Sequence, residues 1–286
     1  MGGWAVFRKI FKEKSANYTG YFFLAPFFLV LCIFNIYPML KTFYLSFTKW
    51  DGGVASPEFI GLKNFADLIH DTTFFQSIAN TVIMWVTSFI PQMILALLLA
   101  AILADRTIKI RGRGFFRAVF YLPNLVTMAS VGLLFYYLLN AQSGTLNKIL
   151  IKLNLMDVPY DWLQDPFFAR LSVSVILFWM WFGYSMLIFI AGINAIPVEL
   201  YEAGRVDGAN RWQAFWKITL PSLKGSILYN IITSIIGGLT IFDVPFVLSG
   251  GLGAPLGSTL TTVNYMYNMT FKNWNAGYGA TIYTGM

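Results

Sequence analysis

Long apolar stretches alternate with short polar segments along this chain. A helix of about 20 apolar residues is long enough to cross the hydrocarbon core of a bilayer. Five stretches reach that length, at residues 20–40, 77–104, 118–139, 171–193 and 225–248. A sixth begins near residue 277 and has only about ten residues before Met286, a rise of about 15 Å or half a bilayer. The pattern predicts an all-α, polytopic membrane protein with five spans, or with six of which the last is cut short.

The composition supports a membrane protein and excludes several kinds of site. The 286 residues are 57% hydrophobic and only 12% charged, against about 25% charged in soluble domains. Cys32 and His70 are the only cysteine and histidine. These counts exclude an internal disulfide, a metal site built from Cys and His clusters, and a Ser–His or Cys–His nucleophile. We therefore expect no catalytic residues and no metal in this chain.

The positive charges predict an orientation in the membrane. With the N-terminus inside, the inner segments carry thirteen lysines and arginines and the outer segments carry seven. Positive residues favour the cytoplasmic side, so the N-terminus and the loop at residues 195–222 are predicted to be cytoplasmic. The net charge of +7 is explained by this asymmetry, and no nucleic-acid partner is expected.

The cytoplasmic loop contains an unusually charged block, VELYEAGRVDGANRWQAFWKITLP, at residues 198–221. Pro197 suits a helix start, and the Asp207-Gly208 pair predicts a turn after about two helical turns. Asn210 followed three residues later by Gln213 predicts a capping box that begins a second, amphipathic helix. The block is predicted to be a helix, a glycine turn and a second helix that ends at Pro221.

This block resembles the EAA loop of binding-protein-dependent ABC importer permeases, whose pattern is E-A-A, three residues, Gly, nine residues and I-x-L-P. Both spacings match here, although Gly204 replaces the second alanine. Glu202 would make a charged contact with an ATPase, Ala203 and Gly204 would permit close packing, and Leu220 and Pro221 would anchor the loop. The ATPase-coupling residues that the resemblance implies are Glu202, Ala203, Gly204, Asp207, Gly208, Ile218, Leu220 and Pro221.

Other segments are similar to the sugar-permease branch of that family, the maltose and glycerol-phosphate type. They include FIGLKNF at 59–65, NTVIMWV at 80–86 and YLPNLVTM at 121–128. The resemblance implies a type I importer transmembrane domain at residues 76–286, preceded by an N-terminal segment, first span and outer loop at 1–75. Because family members have six spans and a cytoplasmic C-terminus, we expect the sixth span to be truncated.

The resemblance also implies partners. The chain has no G-x-x-x-x-G-K-[ST] phosphate loop, so ATP and magnesium are expected in a separate ATPase dimer that docks on residues 198–208. A second homologous permease, in a heterodimer, and an extracytoplasmic binding protein complete the expected assembly. Its place would be the cytoplasmic (inner) membrane of a bacterium or archaeon, in contact with lipid.

One face of the fifth span is a candidate substrate path. Small and polar residues recur on it at helical spacing, namely Asn230, Thr233, Ser234 and Gly238. Close helix packing through the Ser234 and Gly238 pair is an equally good interpretation. The substrate class that the resemblance implies is a sugar, a polyol or an oligosaccharide, with glycerol 3-phosphate or another non-sugar solute as the alternative.

Two other classes of protein compete with this interpretation. A stand-alone secondary transporter usually needs intramembrane charges or broken helices, and the sequence predicts neither near mid-depth. An intramembrane enzyme would need paired acids, a histidine or metal ligands within the spans, which the apolar stretches lack. An importer permease therefore remains the leading prediction.

Overall fold

The computed structural model describes residues 20–105 and 109–286. The predicted cytoplasmic N-terminal segment and Arg106 lie outside the described residues. The chain forms two compact units, one of which joins the N-terminal part to Met269–Gly285 and the other of which contains His70–Asn268. The last helix packs with the N-terminal part, and this contact places Met269–Gly285 in the first unit.

The described residues are predominantly helical, as predicted. In chain order the elements are α1 (Gly20–Leu45), β1 (Thr48–Lys49), β2 (Glu58–Phe59), α2 (Lys63–Ile69), α3 (Thr72–Ala104), α4 (Arg113–Tyr121), α5 (Met128–Leu138), α6 (Thr145–Lys152), α7 (Pro166–Asn194), α8 (Val198–Val206), α9 (Arg211–Ala214), α10 (Lys224–Leu239), α11 (Asp243–Leu248), α12 (Thr262–Tyr267) and α13 (Ala276–Gly285). Among the described residues, four helices are long and apolar enough to span a membrane, and a fifth if one bent pair counts as a span.

In the first unit, α13 packs against the end of α1, the β1–β2 hairpin and α2. The Gly277 N–H donates to the carbonyl of Trp50 at 3.0 Å, and the Thr281 hydroxyl donates to the carbonyl of Ser46 at 2.9 Å. A Cβ at position 277 would lie 2.1 Å from the Thr48 carbonyl oxygen, so only glycine permits this approach. The segment expected to begin a sixth span is therefore helical and tightly packed.

In the second unit, α3 and α7 pack along most of their lengths and form its core. One apolar cluster joins Met84 of α3, Val131 of α5 and Ile176 of α7. Hydrogen bonds also join the two long helices, from Gln92 Nε2 to Ser185 Oγ at 2.8 Å. Such polar pairs stabilise helix contacts in lipid, where unpaired polar groups are costly. The α3–α7 pair is thus a rigid frame for the loops at its ends.

Asp165 begins α7 as its N-cap. Its carboxylate accepts hydrogen bonds from the backbone N–H groups of Phe167 at 2.8 Å and Phe168 at 3.0 Å. The Phe168 hydrogen bond, with help from the Tyr160 hydroxyl, holds the pKa of the Asp165 carboxyl below its usual value. The start of this long helix is therefore tied to an ionised carboxylate.

The third predicted span, 118–139, is not one straight helix. The segments Arg113–Leu125 and Met128–Leu138 meet at an angle of 91°. Thr127 is extended and its hydroxyl accepts the backbone N–H of Ser130, which caps a new helix. Pro123 lies in the short 3-10 turn before the bend, and proline removes a backbone donor there.

The fifth predicted span, 225–248, also contains a break. Helix α10 ends at Leu239, and α11 begins at Asp243 after the non-helical residues Thr240–Phe242. The prediction of no broken helix near mid-depth did not anticipate these two interruptions. A threonine cap marks the first break and a short non-helical stretch marks the second. Apolar periodicity alone does not predict either of them.

Candidate functional site

The charged block forms the predicted pair of helices. Helix α8 spans Val198–Val206 and has Pro197 at its N-cap. Glu199 lies in its first turn and Arg205 in its last, so both charges complement the helix dipole. The first predicted helix of the charged block is thus present as a short, separately bounded element.

The predicted turn is a complete Schellman motif. The Gly208 N–H donates to the Arg205 carbonyl at 3.1 Å, and the Ala209 N–H donates to the Gly204 carbonyl at 2.8 Å. Gly208 has a φ of +77°, the left-handed conformation that glycine adopts without steric cost. These two bonds fix the direction in which the chain leaves α8 after Asp207.

The second helix begins with the predicted capping box. The Gln213 N–H donates to Asn210 Oδ1 at 2.8 Å, and the Asn210 N–H donates to Gln213 Oε1 at 2.9 Å. Beyond α9 the chain continues as a π turn at Phe215–Thr219 and a last helical turn at Leu220–Ser222. The second helix therefore differs from the predicted regular α-helix. It contains a π segment at its centre, and it ends after Pro221 and not at it.

Two contacts hold the paired helices together. The hydroxyls of Tyr201 and Thr219 are hydrogen-bonded at 2.9 Å, and Thr219 is buried. A Cβ at Gly204 would lie 2.9 Å from Cδ1 of Ile218. Gly204 and Ile218 therefore pack against each other inside the pair, and this explains why the smallest residue is tolerated where the family pattern has alanine.

The opposite side of α8 faces solvent. Glu202 and Ala203 are exposed, as is Asp207 in the turn. Val206 is 87% exposed, and Leu200 is also exposed. This outer surface of α8 and its turn therefore presents acidic side chains beside the small Ala203 and the apolar Val206.

Leu223 is the buried anchor that joins the helix pair to the long helices α3 and α7. It is 1% exposed and belongs to a cluster with Ala100 of α3 and Phe189 of α7. A Cβ at Gly192 of α7 would lie 2.6 Å from a Leu223 methyl group. Of the two residues that the resemblance implied as anchors, Leu220 is half-buried and Pro221 is exposed. Leu223 directly precedes α10, and the EAA pattern does not include this position. Its apolar side chain next to a helix start was the only sequence signal for this anchor.

A cavity of about 900 Å³ lies behind the helix pair. Its walls come from the ends of α3 and α7 and from the inward sides of α8 and α9, including Leu98, Asn194, Tyr201, Arg205 and Phe215. The cavity therefore separates part of the inward side of the pair from the ends of the long helices.

The four candidate path residues of α10 do not share one environment. Trp85 of α3 donates its indole N–H to Ser234 Oγ at 2.8 Å. A Cβ at Gly238 would lie 2.1 Å from the same indole ring. Asn230 is buried and Thr233 is exposed, and each hydrogen-bonds its own helix backbone. Ser234 and Gly238 thus form the packing site of the Trp85 indole ring between α3 and α10.

In the residues that the structure describes, no group of three or more His, Cys, Asp or Glu side chains is arranged to hold a metal ion.

Comparison with protein families identifies the chain. Residues 84–285 match the model described as "Binding-protein-dependent transport system inner membrane component". The chain belongs to this family. Family members are transport subunits and not enzymes, so the permease carries no catalytic site of its own. The match includes the helix pair and all four candidate path residues.

Individual relatives agree with the family. The permease is 36% identical over 264 residues to the probable ABC transporter permease protein YurN of Bacillus subtilis, covering 92% of this chain and 89% of YurN. It is 34% identical over 271 residues to the lactose transport system permease protein LacF of Rhizobium radiobacter, covering 94% and 89%. These relatives span nearly the full length of the permease.

A solved structure has the same fold. The permease matches a chain from the crystal structure of a bacterial alginate ABC transporter in complex with alginate pentasaccharide-bound periplasmic protein. The TM-score is 0.82 at 22% identity, over 97% of this chain and 91% of that chain. At this identity the comparison establishes the fold alone.

Proposed function

We propose that the permease imports a sugar or an oligosaccharide with energy supplied by a separate ATPase. The observation that carries the proposal is the helix pair, α8 and α9, which presents an exposed surface on one side and is anchored by Leu223 on the other. A lactose permease among its relatives supports the sugar class. Glycerol 3-phosphate is the alternative solute.

In this proposal α8 transmits movement between the ATPase and the spans. The outer surface of α8, with Glu202 and Ala203, docks in a groove of the ATPase. The Schellman turn at Gly208 and the Tyr201–Thr219 hydrogen bond make the pair move as one body. Leu223 passes that movement to α3 and α7, since it packs between them. A rigid element tied directly to the spans is suited to rigid-body coupling.

The wider assembly is also part of the proposal. A second homologous permease pairs with this chain, an ATPase dimer holds ATP and magnesium, and an extracytoplasmic binding protein delivers the solute. The N-terminus and the helix pair lie on the cytoplasmic side of the inner membrane, as the lysine and arginine distribution favours. A sixth span begins at α13, and the importer domain covers residues 76–286.

The solute path runs along α10 beside α3. Asn230, Thr233, Ser234 and Gly238 line it together with Trp85, whose indole ring lies against Ser234 and Gly238. A movement that separates Trp85 from Ser234 and Gly238 exposes the Ser234 hydroxyl and the backbone at Gly238. The Trp85 side chain thus closes the path when it packs on Ser234 and Gly238, and the path is open when this contact is broken.

A charge reversal tests the docking surface. In membranes that contain the permease, its partner permease and the ATPase, we expect Glu202→Arg to reduce ATPase copurification and solute uptake at least tenfold. Glu58→Arg is the matched control, because Glu58 is exposed and lies in β2, outside the helix pair. Normal copurification and uptake by Glu202→Arg would show that α8 is not the docking element.

A further inference from the structure

A second cavity lies at the other end of α7 from the helix pair. Its volume is about 520 Å³, which is within the range of about 300–1,000 Å³ for small-molecule sites. It opens where the end of α5, the loop before α7 and the end of α11 meet. The polar side chains that line it are Tyr136, Asn140, Gln142, Asp161, Gln164 and Ser249.

The side chains of Asn140 and Ser249 build the walls of this cavity. Asn140 Oδ1 accepts the backbone N–H groups of Gln142 at 3.1 Å and Ser143 at 3.0 Å. Ser249 donates to the Pro245 carbonyl at 2.7 Å and accepts the Gly253 N–H at 3.1 Å. Both residues therefore fix the loops that surround the cavity.

The remaining polar side chains face the solvent inside the cavity. Tyr136, Gln142, Asp161 and Gln164 are all exposed. Amide groups donate and accept hydrogen bonds, a carboxylate accepts them, and an aromatic ring offers a flat apolar face with a polar tip. This combination suits a ligand that carries many hydroxyl groups and an apolar ring face.

Within the described part of the chain, the lining of the cavity carries a negative charge and no positive charge. Asp161 is its one charged lining residue among those described, and neither lysine nor arginine lines it. A phosphate or carboxylate ligand would face an uncompensated negative charge, whereas sites for such ligands use arginine, lysine or helix N-termini. The cavity therefore favours neutral ligands over anions.

The two helices that form its walls both lie beyond a break. Helix α5 follows the 91° bend after Leu125, and α11 follows the break at Thr240–Phe242. The two helices pack closely, since a Cβ at Gly132 would lie 3.1 Å from Cβ of Val247. Segments beyond a break can change direction while the rest of the span stays packed, and transporter sites commonly use such discontinuous helices.

We propose that this cavity is an entry subsite for a neutral carbohydrate and that it excludes anionic solutes such as glycerol 3-phosphate. The inference rests on the proposed function, because it assumes that the permease moves a solute past α5 and α11. Tyr136 supplies the ring face, Gln142 and Gln164 bind hydroxyl groups, and Asp161 repels anions.

Direct binding tests the subsite. The permease, its partner permease and the ATPase are placed in nanodiscs without binding protein, and lactose, maltose and glycerol 3-phosphate are each measured by saturation-transfer difference NMR. We expect a signal from lactose or maltose and none from glycerol 3-phosphate. Tyr136→Leu and Gln164→Ala reduce the sugar signal at least fivefold, and Asp161→Lys produces a glycerol 3-phosphate signal.

Tyr137→Leu is the matched control, because Tyr137 is adjacent, exposed and outside the cavity lining. Copurification of the ATPase with each variant verifies that the variant is folded. The subsite is overturned if neither sugar binds, if glycerol 3-phosphate binds the unaltered permease, or if Tyr136→Leu and Tyr137→Leu behave alike.

Uptake into proteoliposomes with the binding protein separates this result from the proposed function. Sugar uptake at the normal rate by Tyr136→Leu and Gln164→Ala overturns the subsite and leaves the importer function standing. Failure of the unaltered complex to take up any sugar that its binding protein binds overturns the importer function itself. A parallel loss of uptake and of ATPase stimulation by the binding protein would assign the surface to protein docking, which also overturns the subsite.

Discussion

Substituting Gly208 perturbs the helix pair at one backbone position. The φ of +77° is left-handed, and a Cβ built at this glycine meets nothing within 4 Å. The cost of Gly208→Ala is therefore conformational and not steric, about 1–2 kcal/mol for an L-residue in this region. Asparagine tolerates the left-handed conformation better than alanine, so Gly208→Asn is expected to cost less.

That cost acts on the two hydrogen bonds of the Schellman motif. A loss of about 1–2 kcal/mol lowers the closed-to-open ratio of the turn about fivefold to thirtyfold. Amide hydrogen exchange at Gly208 and Ala209 measures this ratio, because both N–H groups are bonded in the turn. We expect protection at position 209 to fall by that factor in Gly208→Ala and by less in Gly208→Asn.

Gly237→Ala is the control for the chemical change itself. Gly237 also has nothing within 4 Å of a built Cβ, but it lies inside a helix without a positive φ. Its substitution leaves exchange at position 209 unchanged. Unaltered protection in Gly208→Ala would refute the reasoning that the turn depends on a left-handed glycine.

Three further predictions concern the pair and the frame. Tyr201→Phe removes the hydrogen bond to Thr219 and is expected to destabilise the pair by about 0.5–1.5 kcal/mol. A double-mutant cycle with Thr219→Val in thermal unfolding measures this interaction energy. Additive effects of the two substitutions would show that the two hydroxyls do not interact. Gly183→Ala places a Cβ 2.0 Å from a backbone carbonyl oxygen of α4 and is expected to lower the unfolding temperature clearly, whereas Gly225→Ala, with open space, leaves it within about 1 °C. Asp165 caps α7 with a pKa below its usual value, so its stabilisation is present at neutral pH and is lost as the pH falls below about 4. Asp165→Asn keeps a capping side chain and is expected to remove that acid dependence, which thermal unfolding between pH 3 and 7 records; an unchanged pH profile would contradict the assignment.

Local sequence signals predicted the helix pair in detail. The Asp207-Gly208 turn and the Asn210–Gln213 capping box depend only on neighbouring residues, so the sequence contains the information that they need. The long apolar spans were predictable for the same reason, since hydropathy over about 20 residues is a local property.

Features that depend on distant residues could not be predicted from the sequence. The inward direction of Gly204 follows from where Ile218 lies, and the role of Leu223 follows from α3 and α7. The two breaks have modest local signatures, a threonine cap and a few non-helical residues within apolar segments. The contact of Trp85 with Ser234 also required the structure, because 149 residues separate the two in the chain.

Site-directed cross-linking tests the central claim most directly. In a Cys32→Ser background, which leaves no native cysteine, Ala203→Cys places a single thiol on the outer surface of α8. Ser143→Cys is the control, because Ser143 is exposed in the loop beyond α5. Treatment of the assembled complex with a short thiol-to-amine cross-linker is predicted to join position 203, and not position 143, to the ATPase and to stop uptake. Cross-linking of the ATPase through position 143, or through neither position, would contradict the account.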